Sequence, residues 1–222
     1  MEVKSRKLYI IGVGGFGREV SWMVERINAH SLSWELAGFI DDDASLHGKK
    51  VRGYPILGGC GYFEHCREEV WVICAIGSAN IRKQVVEKLR VYSNLRFATL
   101  IDPSALVCEE NRIGEGTIIC AKSMITVGIS IGNHVIINLD CTVGHDDIIQ
   151  DFVTLYPSVN VSGNVLIEEG AELGTGTQII QGKKIGKETI VGAGAVVVRD
   201  LPGRCVAVGI PASPIKFLDE SK

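Results

Sequence analysis

From Ile101 to Val197 every sixth residue is aliphatic, seventeen positions in unbroken phase that run through Ile119, Ile137, Leu155, Leu173 and Val191. Four residues after each of these, small or β-branched side chains dominate, as at Thr117, Ser123, Val135, Cys141, Val153 and Ala171, with Asp147 and Lys183 the clearest exceptions. Glycine often follows the aliphatic residue directly, as at Gly114, Gly132, Gly144, Gly174, Gly186 and Gly192. Helices repeat every 3.6 residues and strands every two, so neither element by itself produces a period of six. A solenoid of short parallel strands does, because each coil stacks its aliphatic residues on those of the next. The glycines are expected at the corners, where they give backbone freedom and avoid crowding. The third place of each hexad then lies toward a corner and can face outward.

The first hundred residues follow a different pattern. Residues 7–27 read as an apolar strand, a glycine turn and an amphipathic helix, and Gly12, Gly14 and Gly17 fit G-x-G-x-x-G in that context. Gly14, Gly15, Phe16 and Gly17 would bring backbone N–H groups at the helix start close to a phosphate. A second strand, residues 34–40, ends in Asp41-Asp42-Asp43, and Asp41 and Asp42 are placed to meet a ribose or base. A third strand over 69–77 ends at Gly77, a helix starts near Asn80, and a fourth strand over 96–101 leads into the first hexad. These are β-α-β units with parallel strands. A dinucleotide needs two such halves and this segment supplies one. The expected ligand is therefore a single nucleotide, such as the uridine diphosphate end of a sugar nucleotide.

Composition removes several classes. The net charge of −3 gives no global basic field for a nucleic acid polymer, and no apolar run is long enough to span a membrane. Seven cysteines at irregular spacing, behind an N-terminus that lacks a signal-peptide core, point to a reducing cytoplasm. Cys60, His65 and Cys66 have no second ligand pair at zinc spacing, and the repeats hold only His134 and His145. No metal is expected.

The repeat pattern, with the ending IVGAGAVVVRDLPGRCVAVGIPASPI over residues 190–215, resembles the hexapeptide-repeat acyltransferases. That resemblance implies a left-handed parallel β-helix with three hexads per triangular coil. The fold class is then α/β + all-β, with a small Rossmann-like nucleotide-binding domain over 1–100 followed by the β-helix over 101–222. This combination, together with residues 75–85 (AIGSANIRKQV) and 137–152 (INLDCTVGHDDIIQDF), is similar to bacterial sugar O-/N-acyltransferases. These include UDP-4-amino-sugar N-acetyltransferases and sialic acid O-acetyltransferases. Membership implies acetyl-CoA as donor, a nucleotide-sugar as acceptor through an amine or a hydroxyl, and a homotrimer with intersubunit active sites.

His145 occupies the third place of its hexad. With eighteen residues per coil, Gly163 stacks on it, so that an imidazole faces a bare backbone corner. The resemblance makes His145 the general base and Asp146 its acidic partner. Gly163 supplies a backbone N–H for the oxyanion. Asn138, Thr154, Gly192 and Ala193 are the further donor-side positions. Thr154 stands where many relatives carry a second histidine, and Phe16 where some carry a histidine in the glycine turn. His134 and Cys141 are expected to be structural. No lysine or arginine occurs from Ile137 to Gly182, after which Lys183, Lys184, Lys187, Arg199, Arg204 and Lys216 appear. That asymmetry fits the phosphates of coenzyme A lying toward the late coils.

Overall fold

The computed structural model describes residues 5–219, and they fall into two units on either side of the Pro103–Ser104 bond. The first unit is built on β1 (Arg6–Ile11), α1 (Gly15–His30), β2 (Trp34–Ile40), β3 (Lys50–Val51), β4 (Tyr54–Gly58), β5 (Val70–Cys74), α2 (Ala79–Leu89) and β6 (Leu95–Phe97). Its sheet has the order β3-β4-β2-β1-β5-β6. The pairs of β1 with β2 and β5, of β2 with β4 and of β5 with β6 are all parallel. Leu8, Ile10, Phe39, Ile40, Val72 and Ile73 are buried in this sheet, and α1 contributes Val20, Met23 and Val24 to the core. Apolar runs buried on both faces are what a parallel sheet covered by helices demands.

Two features depart from the sequence expectation. The segment before β5 forms a hairpin, in which β3 runs antiparallel to β4 through a two-residue turn at Arg52 (φ 51°) and Gly53 (φ 85°). Positive φ at both central residues is the geometry that matches the strand twist, and an arginine at the first gave little signal in the sequence. The strand expected over 96–101 is also broken, into β6 and a separate pair Leu100–Ile101.

The second unit is a left-handed parallel β-helix. Two-residue strands form three sheets, and each strand pairs with the strand eighteen residues on: Ile118–Ile119 with Ile136–Ile137, Met124–Ile125 with Thr142–Val143, Ser130–Ile131 with Ile148–Ile149. The second residue of each strand is the aliphatic one. From Ile119 to Val197 this column is at most 4% exposed throughout. Val107 and Ile113, in the first coil, are only half-buried. The last turn closes with Cys205–Gly209 and Ala212–Phe217, an antiparallel hairpin on the edge of one sheet.

The corners correct one expectation. The left-handed backbone falls on the fourth place of the hexad, not on the glycine at the second. Lys122, His134, Asp140, Asp146, Phe152, Ser158, Asn164 and Glu188 all have positive φ, and glycine fills most of the intervening fourth places. The second-place glycines answer a different need. A Cβ on Gly144, for example, would lie 2.5 Å from the Gly163 nitrogen. The backbone of the next coil passes too close for any side chain.

Candidate active site

His145 and Asp146 follow the strand Thr142–Val143 on one corner of the β-helix. Asp146 takes the left-handed conformation at φ 61°, one that Asp tolerates better than most residues. The turn brings its carboxylate back onto the preceding ring, with His145 Nδ1 and Asp146 Oδ2 2.9 Å apart. A carboxylate only accepts, so Nδ1 carries the hydrogen in this pair, and in the neutral ring Nε2 is then the nitrogen with the lone pair. Both side chains are half or more exposed, at 50% and 62%.

Gly163 lies under the ring. A Cβ built on it would sit 2.5 Å from Nε2, 2.6 Å from Cε1 and 2.7 Å from Cδ2. Only glycine lets the imidazole lie flat on this corner. Among the described residues the Gly163 N–H donates no hydrogen bond, whereas its carbonyl accepts from Gly182 at 3.0 Å. A basic nitrogen, a carboxylate behind it and an unused backbone donor therefore share one corner.

The remaining donor-side positions do not join them within one chain. Asn138 follows the strand Ile136–Ile137, and Gly192 and Ala193 follow Ile190–Val191, both in another sheet and so at a different corner. Asn138 is 9% exposed and its Oδ1 accepts the Leu139 N–H at 2.8 Å. Thr154 lies on a strand, paired with Ile136 and Glu172, and is buried. His134 is buried and stacks on Phe152 at 5.1 Å between ring centroids, and burial pushes the Cys141 thiol up to about 11. Both are core residues. Of the late basic residues, Lys184, Lys187 and Arg204 pair with Glu168, Glu169 and Glu188, acids of the coil beneath. Among the described residues Lys183, Arg199 and Lys216 form no such pair, so they are the free cations of that region.

The first unit holds a second candidate site. Its strand order reverses between β1 and β5, since the chain leaves β1 for β2 and returns on the other side. Ligands of open α/β sheets bind at such switch points, beyond the carboxyl ends of the strands. A cleft of about 260 Å³ lies there, lined by Gly12, Asp41, Asp42, Ile76, Gln84 and Lys88, among others. Asp41 is largely occupied, with Oδ2 accepting the Val13 N–H at 3.1 Å and Oδ1 the Asp43 N–H at 3.0 Å. Asp42 accepts the Cys60 N–H at 2.8 Å, and this bond, with Lys88 3.6 Å away, holds its carboxyl below the usual range. Gly77 is turned differently: its carbonyl and that of Ile76 accept from Arg82, whose guanidinium is buried.

At the glycine turn, Gly14 caps α1 without a side-chain hydrogen bond, and the first turn carries no acid. That leaves the positive end of the helix open for an anion. Gly14 and Gly15 are exposed, Phe16 is half-buried and Gly17 is buried. The glycines divide by purpose. A Cβ on Gly14 would meet nothing within 4 Å, whereas one on Gly17 would lie 2.0 Å from the Gly12 carbonyl oxygen. Sequence reasoning did not single out Lys88 or Gln84, because their helical spacing from the strand ends becomes visible only in three dimensions.

Among the described residues no cluster of three or more metal-ligating side chains occurs, and no helix is long and apolar enough to cross a membrane. The fold and the corner define a class, a Rossmann-like domain carrying a hexapeptide-repeat β-helix with an outward histidine. Residues 7–89 match the PglD N-terminal domain family. The chain is 32% identical over 186 residues to GDP-perosamine N-acetyltransferase of Escherichia coli O157:H7, covering 83% of this chain and 82% of that protein. Among solved structures it is similar to the acetyltransferase domain of PglB from Neisseria gonorrhoeae FA1090, with 31% identity, a TM-score of 0.84 and 95% and 100% of the two chains covered. It is also similar to a histidine variant of perosamine N-acetyltransferase from Caulobacter crescentus in complex with CoA and GDP-perosamine, with 32% identity, a TM-score of 0.83 and coverage of 95% and 97%. The chain belongs to the family of hexapeptide-repeat sugar acyltransferases.

The two glycines of the turn give a direct test. Gly17→Ala should force α1 away from Gly12 and lower stability by about 1–3 kcal/mol, while Gly14→Ala should leave the unfolding free energy from urea titration within about 0.5 kcal/mol of the parent. Equal midpoints for the two variants would mean that the close approach at Gly17 is not what holds the turn.

Proposed function

We propose that this protein transfers the acetyl group of acetyl-CoA to the amine of a nucleotide-linked amino sugar, with His145 as general base. The observation that carries the reading is the His145–Asp146 pair laid over Gly163. The amine nitrogen attacks the thioester carbonyl as Nε2 takes its proton. Asp146 keeps Nδ1 protonated and steadies the imidazolium that forms. The Gly163 N–H donates to the oxyanion of the tetrahedral intermediate. That intermediate collapses as the C–S bond breaks, the imidazolium returns its proton to the departing sulfur, and coenzyme A leaves as the thiol.

The relatives support the donor and the acceptor class. The gonococcal PglB domain is described in complex with acetyl coenzyme A, and the Escherichia coli and Caulobacter proteins are named for GDP-perosamine. The nucleotide would occupy the cleft of the first unit, its diphosphate toward the open start of α1. The resemblance suggests a uridine diphosphate end, whereas the Escherichia coli and Caulobacter relatives are named with a guanosine diphosphate sugar. A panel of UDP- and GDP-linked 4-amino sugars with acetyl-CoA, read by free-thiol release, separates these. Release with neither would remove the amine-acceptor reading.

His145→Ala should keep the fold by circular dichroism, because the third hexad place is outside the aliphatic column. It should lower kcat by about 10²–10⁴-fold, the usual effect of removing a positioned general base. The KM for acetyl-CoA should change far less. A folded variant with near-parental kcat would place the chemistry elsewhere.

Asn138, Gly192 and Ala193 sit at a different corner from His145 in one chain, so a site using both sets needs a second copy. Closed cyclic assembly meets that need. The family resemblance makes that assembly a homotrimer, which light scattering should give at working concentration, and a fully active monomer would contradict intersubunit sites.

A further inference from the structure

Asp147 has no part in that reaction scheme, yet it is the one acid among the fifth places of the hexads. Its neighbours in that row are small or aliphatic, and its own side chain is fully buried inside the coil. Oδ1 accepts the Val165 N–H at 2.7 Å, while Oδ2 is buried with no hydrogen-bond partner among the described residues. A buried oxygen in that condition is costly, and more so when it is charged.

Other polar residues at the fifth place show what the second oxygen faces. Thr117 Oγ1 accepts from the N–H eighteen residues on, Val135 at 3.2 Å, and donates to the carbonyl fifteen on, Gly132 at 3.0 Å. Ser123 does the same with Cys141 at 3.3 Å and Asn138 at 2.8 Å. Cys141 donates to the Tyr156 carbonyl at 3.2 Å and Thr177 to that of Gly192 at 3.3 Å, each again fifteen residues on. For Asp147 the same register points to Val165 and to the Ser162 carbonyl. The Val165 bond is in place, and the Ser162 carbonyl accepts no backbone hydrogen bond among the described residues.

Filling that register takes one acceptor and one donor. A hydroxyl offers both, a carboxylate offers no donor, and a carboxylic acid offers one. We propose that Asp147 is held in the coil as the neutral acid, Oδ2–H donating to the Ser162 carbonyl, and that its two bonds fix the Ser162–Gly163 corner against His145. Asp147 is a positioning residue in this account, which rests on the reading of His145 as general base. Burial pushes the carboxyl up to about 7, against the pull of the Val165 and Gly144 N–H groups. The residues stacked on it, Ile129 and Val165, and the adjoining Val143 and Ile149 are all apolar and buried. The charged groups that reach it are His145, which favours the anion, and Asp146, which opposes it.

The sign of the pH effect follows. The folded chain holds this proton up to about 7 and the unfolded chain loses it near the ordinary value of 3.8. The folded state thus binds more protons in between, and the contribution to stability is full at low pH and lost as pH rises through that window. Asp147→Asn keeps a donor and an acceptor and cannot titrate. From pH 5 to pH 8 the thermal midpoint of the parent should therefore fall relative to that of Asp147→Asn. Parallel profiles would overturn the neutral acid, and this measurement needs no substrate, so it stands apart from any failure of the His145 reading. In the kinetic arm, Asp147→Val places at this position the residue found at Val153, Val159 and Val165. It should lower kcat about tenfold or more with the KM for acetyl-CoA within about twofold, as a displaced corner would, and Asp147→Asn should restore kcat. A folded Asp147→Val variant with parental kcat would overturn the positioning role. If that variant does not fold, an Asp147→Asn kcat below the parental value at pH 6, where the parent still holds its proton and both side chains carry the donor, would overturn it instead.

Discussion

The eighteen-residue vertical register of the β-helix sets the position of every group at the candidate site. Each strand is only two residues long and has no stability alone, since short isolated strands bury too little apolar surface. It persists because the strand above and the strand below complete its hydrogen bonds and cover its aliphatic side chain. Ile119, Ile137, Leu155, Leu173 and Val191 form one such column, all essentially inaccessible to water. A slip of one residue would turn the column outward on all three faces at once. The corners inherit that rigidity, so a side chain at a third place is held at a fixed height over a known backbone atom. For His145 that atom belongs to Gly163.

The corner geometry also explains how two adjacent residues come to act together. In an extended segment His145 and Asp146 would point to opposite sides. The left-handed turn at Asp146 reverses this and brings carboxylate and imidazole to 2.9 Å. The same fourth-place turn recurs at Asp140, Phe152, Ser158 and Asn164 as scaffold. The candidate chemistry therefore uses a conformation that the fold repeats throughout, with the strain of a non-glycine left-handed residue offset by stacking along the helix.

The β-helix was legible in the sequence because its period is a direct image of its geometry. Each hexad is one side of the coil, and the interior tolerates only aliphatic or small residues. The pairing of His145 with Gly163 followed from the same arithmetic. What the period could not reveal was which corner residue takes positive φ. The expectation rested on glycine, and glycine at Gly144 and Gly174 answers crowding from the next coil instead. Nor could it show that Asn138 and Gly192 lie at a different corner from His145, because a linear list of site residues carries no side of the triangle. In the first unit β1, α1, β2 and α2 were legible from apolar runs and the glycine turn. The β3–β4 hairpin was hidden behind Arg52, and the hold of Asp41 on Val13 is a long-range contact with no local signature.

The central claim is that acyl transfer depends on an imidazole lying flat on a bare backbone corner. Gly163→Ala tests it most directly, since the added methyl group would fall within 2.7 Å of three ring atoms and must tilt the ring away. Steady-state thiol release with acetyl-CoA and the nucleotide-linked amino sugar should then show kcat reduced by about 10²-fold, the scale expected for a misplacement of about 1 Å. Circular dichroism should be unchanged. A correctly folded Gly163→Ala protein that turns over at the parental rate would contradict the account.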